Sequence, residues 1–252
     1  MHMLLMLGIF ALIFVATLLI MCLYRSKINT KIWNTCFILL DIVFFFCWNW
    51  AGYQVGWLDS GWLTFGNISP FMFTLMPLTV FMNDKVKEYA FSAFAGLNVG
   101  MFFAMLVSPE HAYLFNFDTE ASFLYTAEAA CHMLCSLYGV YLVLSGQVKA
   151  DFRHWVKSIV FMYSVITYGV LLNAVFRTNN FGMNPYGNYS IYMFDFFGSF
   201  AGTLLAYYLC VAVVLTVGMQ GASFLEKLTA RHVRQAPDRL QNQTEPQKGG
   251  SL

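Results

Sequence analysis

Apolar residues gather along this chain in seven windows of helix length, at 3–23, 32–51, 68–83, 88–107, 121–145, 156–176 and 194–219. About 20 residues at 1.5 Å rise per residue cross a hydrocarbon layer roughly 30 Å thick. The pattern therefore predicts an all-α polytopic membrane protein, a seven-transmembrane-helix bundle. The third window is short and holds Pro77 near its middle, where a missing backbone N–H predicts a kink. Pro70 stands in that helix's first turn, where the loss costs nothing. The first window is also considered as a signal peptide. No Lys or Arg precedes it and the basic segment "RSKINTK" follows directly, so it reads as an uncleaved first helix. Residues 1–222 form the predicted transmembrane domain. Residues 223–252 read as a polar tail, without periodicity from about residue 233 and expected to be disordered.

Polar residues between the windows alternate in charge. "RSKINTK" carries Arg25, Lys27 and Lys31, and the next loop, "GYQVGWLDSGWLTFGN", carries no Lys or Arg. "DKVKE" brings Lys85 and Lys87, and the loop after it holds Glu110, Asp118 and Glu120 without a cation. "GQVKADFRHWVK" brings Lys149, Arg153 and Lys157, and the tail begins with Lys227, Arg231 and Arg234. Basic loops stay in the cytoplasm, which predicts an external amino terminus and a cytoplasmic carboxyl terminus. Only Arg177, in the sixth connection, departs from the rule. Trp48, Trp50, Trp57 and Trp62, with Tyr186, Tyr189 and Tyr192, form the aromatic belt expected at the outer boundary. A cell membrane is the predicted location.

Composition agrees with this reading. Of 252 residues, 59% are hydrophobic and 11% charged, against about a quarter charged in soluble domains. The net charge of +1 and the lack of a basic helix face exclude nucleic acid as the expected partner. All six cysteines lie in or beside apolar runs, not in a disulfide-rich loop framework.

Ionisable groups inside the apolar windows are costly and point to polar sites. In "TAEAACHMLC", Glu128 and His132 share one side of a helix, with Glu128 about 6 Å nearer the outer face. Asp41, Thr79 and His132 lie within about one turn of mid-helix, and Asn173, Arg177 and Asp195 lie nearer the outer boundary. Together they could line an outward-opening pocket among helices two, three, five, six and seven. Structural roles compete with this. A histidine can clasp a neighbouring helix, a threonine can bond the carbonyl one turn back, and Asp195 can favour the positive end of its own helix. "CHMLC" does not assemble a metal site, because His132 points about 100° away from Cys131 and no second Cys/His cluster occurs. No metal or cofactor is expected. Phosphate-binding glycine loops, GxSxG and HExxH are absent from the sequence. The last window has no lysine to hold retinal.

The order of several motifs resembles the transmembrane protein 164 family, which includes bacterial YwaF-like proteins. The matching segments read "LMPLTVF" (75–81), "AGLNVGMFFAMLVSPE" (95–110), "ACHMLCSLYGVYLVLSG" (130–146), "LLNAVFRTNNF" (171–181) and "FDFFG" (194–198). The likeness covers about residues 65 to 220. It implies a polytopic membrane protein with a lipid or other amphiphile as partner, and in the eukaryotic branch acyl transfer between glycerophospholipids by a cysteine and a histidine. The androgen-induced gene 1 proteins look distantly related and hydrolyse lipid esters with a threonine and a histidine. On this chain the histidine corresponds to His132. Phe81 fills the cysteine position and Thr79 stands where the motif has histidine. The resemblance thus implies acyl transfer or ester hydrolysis with Thr79 as nucleophile, His132 as base and Glu128 orienting the imidazole. It also adds Asn180 to Asp41, Asn173 and Asp195 as ligand-binding candidates. Non-catalytic ligand binding, transport, and a regulatory or scaffold role remain as alternatives.

Overall fold

The computed structural model describes residues 2–24, 29–56, 68–107, 122–176 and 199–241. Seven α-helices account for nearly all of them, with no strand among the described residues: α1 (His2–Leu23), α2 (Thr30–Gln54), α3 (Ile68–Leu78), α4 (Asp84–Val107), α5 (Ser122–Leu144), α6 (Phe152–Phe176) and α7 (Phe200–Gln241). Four begin on side chains that cap the unpaired N–H groups of a first turn. The Asn29 side-chain oxygen accepts from the Lys31 and Ile32 N–H groups, and Asn83 accepts from Val86. Asp151 accepts from His154, and Ser199 from Gly202. Two helices end on glycine in the left-handed region, Gly56 after α2 (φ 74°) and Gly146 after α5 (φ 75°), where a side chain would strain the turn.

Two expectations change. Pro77 does not kink a long third helix; it lies in the last α-helical turn of α3, which tightens into a 3-10 turn over Thr79–Phe81 and stops. Without the proline N–H, the α-helical ladder has lost a rung just there. The tail expected to be disordered from residue 223 is helical as far as Gln241. As far as Thr229 the reason is a buried stripe, Val211, Leu215, Met219, Ala222, Leu225 and Thr229, that keeps helical spacing past the end of the apolar run.

The helices α4 and α5 occupy the centre. α5 packs against α1, α2, α3, α4 and α7, and α4 against α5, α6 and α7. Contact between α4 and α7 is backbone to backbone. A methyl group added at Gly218 would land on the carbonyl oxygen of Gly96, and Gly100 faces Gly218 across the same crossing. Small residues permit such approaches between helices where larger side chains would hold them apart. Tyr138 and Tyr141 of α5, both fully buried, stack on one another and meet Phe37 of α2; Tyr138 also meets Phe94 of α4.

The outer faces invert the usual rule of burial. Leu39, Val43 and Phe46 on α2, Leu171 and Val175 on α6, and Leu205, Leu209 and Val213 on α7 are all exposed. Four helical stretches, Thr30–Gln54, Phe123–Leu144, Phe152–Phe176 and Phe200–Thr229, are long and apolar enough to cross a membrane. The α5 stretch is 83% buried, against 17–28% for the other three. An apolar sheath around a packed helix is the arrangement that a bilayer solvates.

Candidate functional site

His132 sits near the middle of α5, buried, with the edge of the Phe73 ring against it at a centroid distance of 5.1 Å and an interplanar angle of 89°. Its Nδ1 lies 2.9 Å from the main-chain oxygen of Glu128. A carbonyl oxygen only accepts, so Nδ1 carries the proton and donates. The ring's other nitrogen, Nε2, makes no hydrogen bond among the described residues.

The imidazole forms part of the wall of a cavity of about 460 Å³. Ile68, Met72 and Phe73 of α3 line it, together with Leu97, Asn98, Gly100, Met101 and Ala104 of α4 and Val213, Val214 and Val217 of α7. Val213 and Val217 are 62% and 56% exposed, so the cavity opens sideways, through the apolar sheath between α3 and α7. Among the described residues, the polar side chains of the wall are His132 and Asn98, and none that lines it is charged. Asn98 donates from Nδ2 to the Phe94 carbonyl one turn back, at 2.9 Å. Its Oδ1 and second N–H remain for another partner.

The sequence places the pocket among helices two, three, five, six and seven; the structure builds it from α3, α4, α5 and α7. Thr79 is buried in the 3-10 turn, donates to the Met76 carbonyl at 2.6 Å, and does not line the cavity. It lies six residues beyond Phe73, about 9 Å farther along the chain's helical path. Glu128 meets His132 through its main-chain carbonyl and not through its carboxylate, which lies off the cavity wall. Among the described residues, no hydrogen bond joins Thr79 or the Glu128 carboxylate to the His132 ring. Thr79 bonds back to its own helix, as membrane threonines commonly do.

Asp41 is fully buried where α2 meets α5, within electrostatic range of Cys131, Cys135 and Tyr138, away from the His132 cavity. Neither of its carboxylate oxygens has a hydrogen-bond partner among the described residues. Asn173 is fully buried on α6, also off the cavity wall. Asn180 and Asp195, with Arg177, lie outside the described residues. Asn98 is the site residue that sequence reading passes over. Its signal is plain in retrospect: one amide inside the apolar run "AGLNVGMFF".

A second polar group gathers where α4, α6 and α7 meet, at the end holding the Lys- and Arg-rich loops. The Lys157 ammonium, buried, pairs with the Glu88 carboxylate and lies 5.7 Å from the centre of the Tyr89 ring. His154 links Glu88, 3.8 Å from Nε2, to Asp151, 2.7 Å from Nδ1. Burial pushes the Asp151 carboxyl up, but hydrogen bonds from the His154 main-chain N–H and ring outweigh this and hold it below the usual carboxylate range. Glu226 of α7 accepts from the Ala150 N–H at 3.1 Å, and Trp155 donates from its indole to Thr216 at 3.0 Å. These bonds tie the helix ends together.

Among the described residues no three His, Cys, Asp or Glu side chains converge as a metal site. Cys131 and Cys135 are buried free thiols. Compared with protein-family models, with curated proteins and with solved structures, the chain finds no match.

Proposed function

We propose that this chain is a seven-helix protein of a cell membrane that holds a membrane amphiphile in the His132 cavity and does no covalent chemistry on it. The observation that carries the reading is the cavity itself. A chamber of about 460 Å³ whose described walls are apolar save for two polar side chains, with exposed Val213 and Val217 at its edge, suits a molecule that arrives from the lipid phase. The apolar outer faces of α2, α6 and α7 support residence in a bilayer. The alternation of basic and non-basic loops supports an external amino terminus and a cytoplasmic carboxyl terminus. The motif order supports a relationship to the transmembrane protein 164 family.

Binding is favoured over acyl transfer on geometry. The Thr79 hydroxyl is engaged with Met76 and absent from the cavity wall. Phe81, at the family's nucleophile position, is 85% exposed and turned away from the core. A hydroxyl nucleophile needs a base within hydrogen-bond reach.

Native mass spectrometry of the purified protein tests the reading. Wild type is expected to carry a non-covalent lipid that Ala104→Trp, which fills the cavity from α4, loses while still folding. Equal lipid occupancy in the two proteins overturns it.

A further inference from the structure

We infer that the ligand is an uncharged lipid carrying a hydroxyl group, bound with that hydroxyl at the deep end of the cavity against His132 and Asn98. This rests on the amphiphile-binding reading above and adds its chemical class.

Three observations select the class. First, none of the described residues of the wall is Lys, Arg, Asp or Glu. A phosphate or carboxylate head would leave water without a counter-charge, which is costly in an apolar chamber. Second, the polar groups lie deep. Asn98 is about 14 Å from the Val107 end of α4, and His132 about 15 Å from the Ser122 end of α5. From Leu97 to Ala104 the α4 wall extends about 10 Å farther toward that outer end, apolar beyond Asn98. A head bound there has been drawn to mid-membrane depth, the position in which only an uncharged head is inexpensive.

Third, the donor and acceptor pattern fits a hydroxyl. The bond to Glu128 fixes the His132 proton on Nδ1, and among the described residues no carboxylate of the wall balances an imidazolium, so Nε2 is the acceptor. Asn98 has spent one N–H on Phe94 and keeps one. A single hydroxyl pairs with both, donating to His132 Nε2 and accepting from the remaining Asn98 N–H, and leaves only the Asn98 Oδ1. A ketone or ester carbonyl could accept from Asn98 and would leave Nε2 unpaired. A methyl ether would do the same.

Three photoreactive probes that differ only at the head separate the possibilities: hexadecanol, hexadecanoic acid and hexadecyl methyl ether, each with a diazirine at the same chain carbon. Wild-type protein in phosphatidylcholine nanodiscs is irradiated with each at equal mole fraction, and labelled peptides of α4 and α7 are quantified. One hydrogen bond to a buried acceptor is about a tenfold effect. Hexadecanol is expected to label these helices about tenfold more than either analogue, and unlabelled hexadecanol to compete it away. Equal labelling by the acid or the ether, abolished by Ala104→Trp, overturns the hydroxyl class and leaves the cavity reading standing. Labelling by all three that is no greater than in Ala104→Trp overturns both.

Discussion

The main-chain oxygen of Glu128 holds the Nδ1 proton of His132 at 2.9 Å, one turn back along the same helix. The bond fixes the tautomer without using the carboxylate, and it turns the other ring nitrogen into the free acceptor of the cavity. On the proposed reading, ligand contact at this position falls to Nε2, while Nδ1 makes the local helical bond.

These two roles separate by substitution. His132→Gln places an amide where Nε2 stands, and His132→Asn keeps a group only at the Nδ1 position. Lipid occupancy by native mass spectrometry is expected to survive largely in His132→Gln and to fall about tenfold in His132→Asn. Equal occupancy in both would mean that Nε2 makes no contact with the ligand.

The backbone contact of α4 with α7 predicts a graded glycine series. Gly218→Ala puts its methyl group on the Gly96 carbonyl, whereas the nearest atom to a methyl at Gly100 is 3.6 Å away. Thermal unfolding in detergent should show Gly218→Ala losing about 1–3 kcal/mol or more through overpacking. Gly100→Ala should stay within about 0.5 kcal/mol of wild type. The reverse order would disprove the crossing.

Much of the fold is legible in the sequence, because length and apolarity alone locate helices. Each of the seven predicted windows overlaps one of the seven helices, although α3 stops at Leu78 and α7 runs on to Gln241, and Asn29, Asn83, Asp151 and Ser199 mark starts by chemistry visible in the chain. Rotation about each helix axis is not legible. Leucine, valine and phenylalanine are equally suited to lipid and to core, so nothing in the pattern says that His132 faces α4 and α7 and not α2 and α6. Asn98 is hidden for the same reason. Lys157 reads as one more loop cation, yet it turns inward to Glu88. The stripe through Ala222, Leu225 and Thr229 is masked by the polar residues between them, which made the tail look structureless.

The Glu88–Lys157 pair behaves differently from a surface ion pair, because the lysine is buried and the glutamate side chain is 38% exposed. Removing one partner strands a charge, and removing both does not. Glu88→Gln and Lys157→Met are each expected to cost about 1–2 kcal/mol, discounted for the solvent that reaches Glu88. The double substitution should cost less than their sum. Strict additivity of the melting curves would show that the two side chains do not interact.

Asp151 gives an acid-side signature. Its carboxyl is held below its ordinary range in the folded protein, so its stabilising effect is fully present above the unfolded value of about 4. That effect is lost as pH falls through the lower folded value. Asp151→Asn removes the term. As pH falls below about 4, the variant should lose stability less steeply than wild type. Parallel curves would show that the His154 hydrogen bonds do not favour the charged carboxylate.

The most direct measurement asks what fills the space beside Met101 in a native membrane. Benzophenone-phenylalanine incorporated at position 101 and irradiated in membranes should yield a lipid adduct on the α4 peptide, removed when Ala104→Trp is added. Cross-links running instead to Val213 or Val214, with no lipid adduct, would mean that α4 and α7 close on each other there and that the cavity holds no amphiphile.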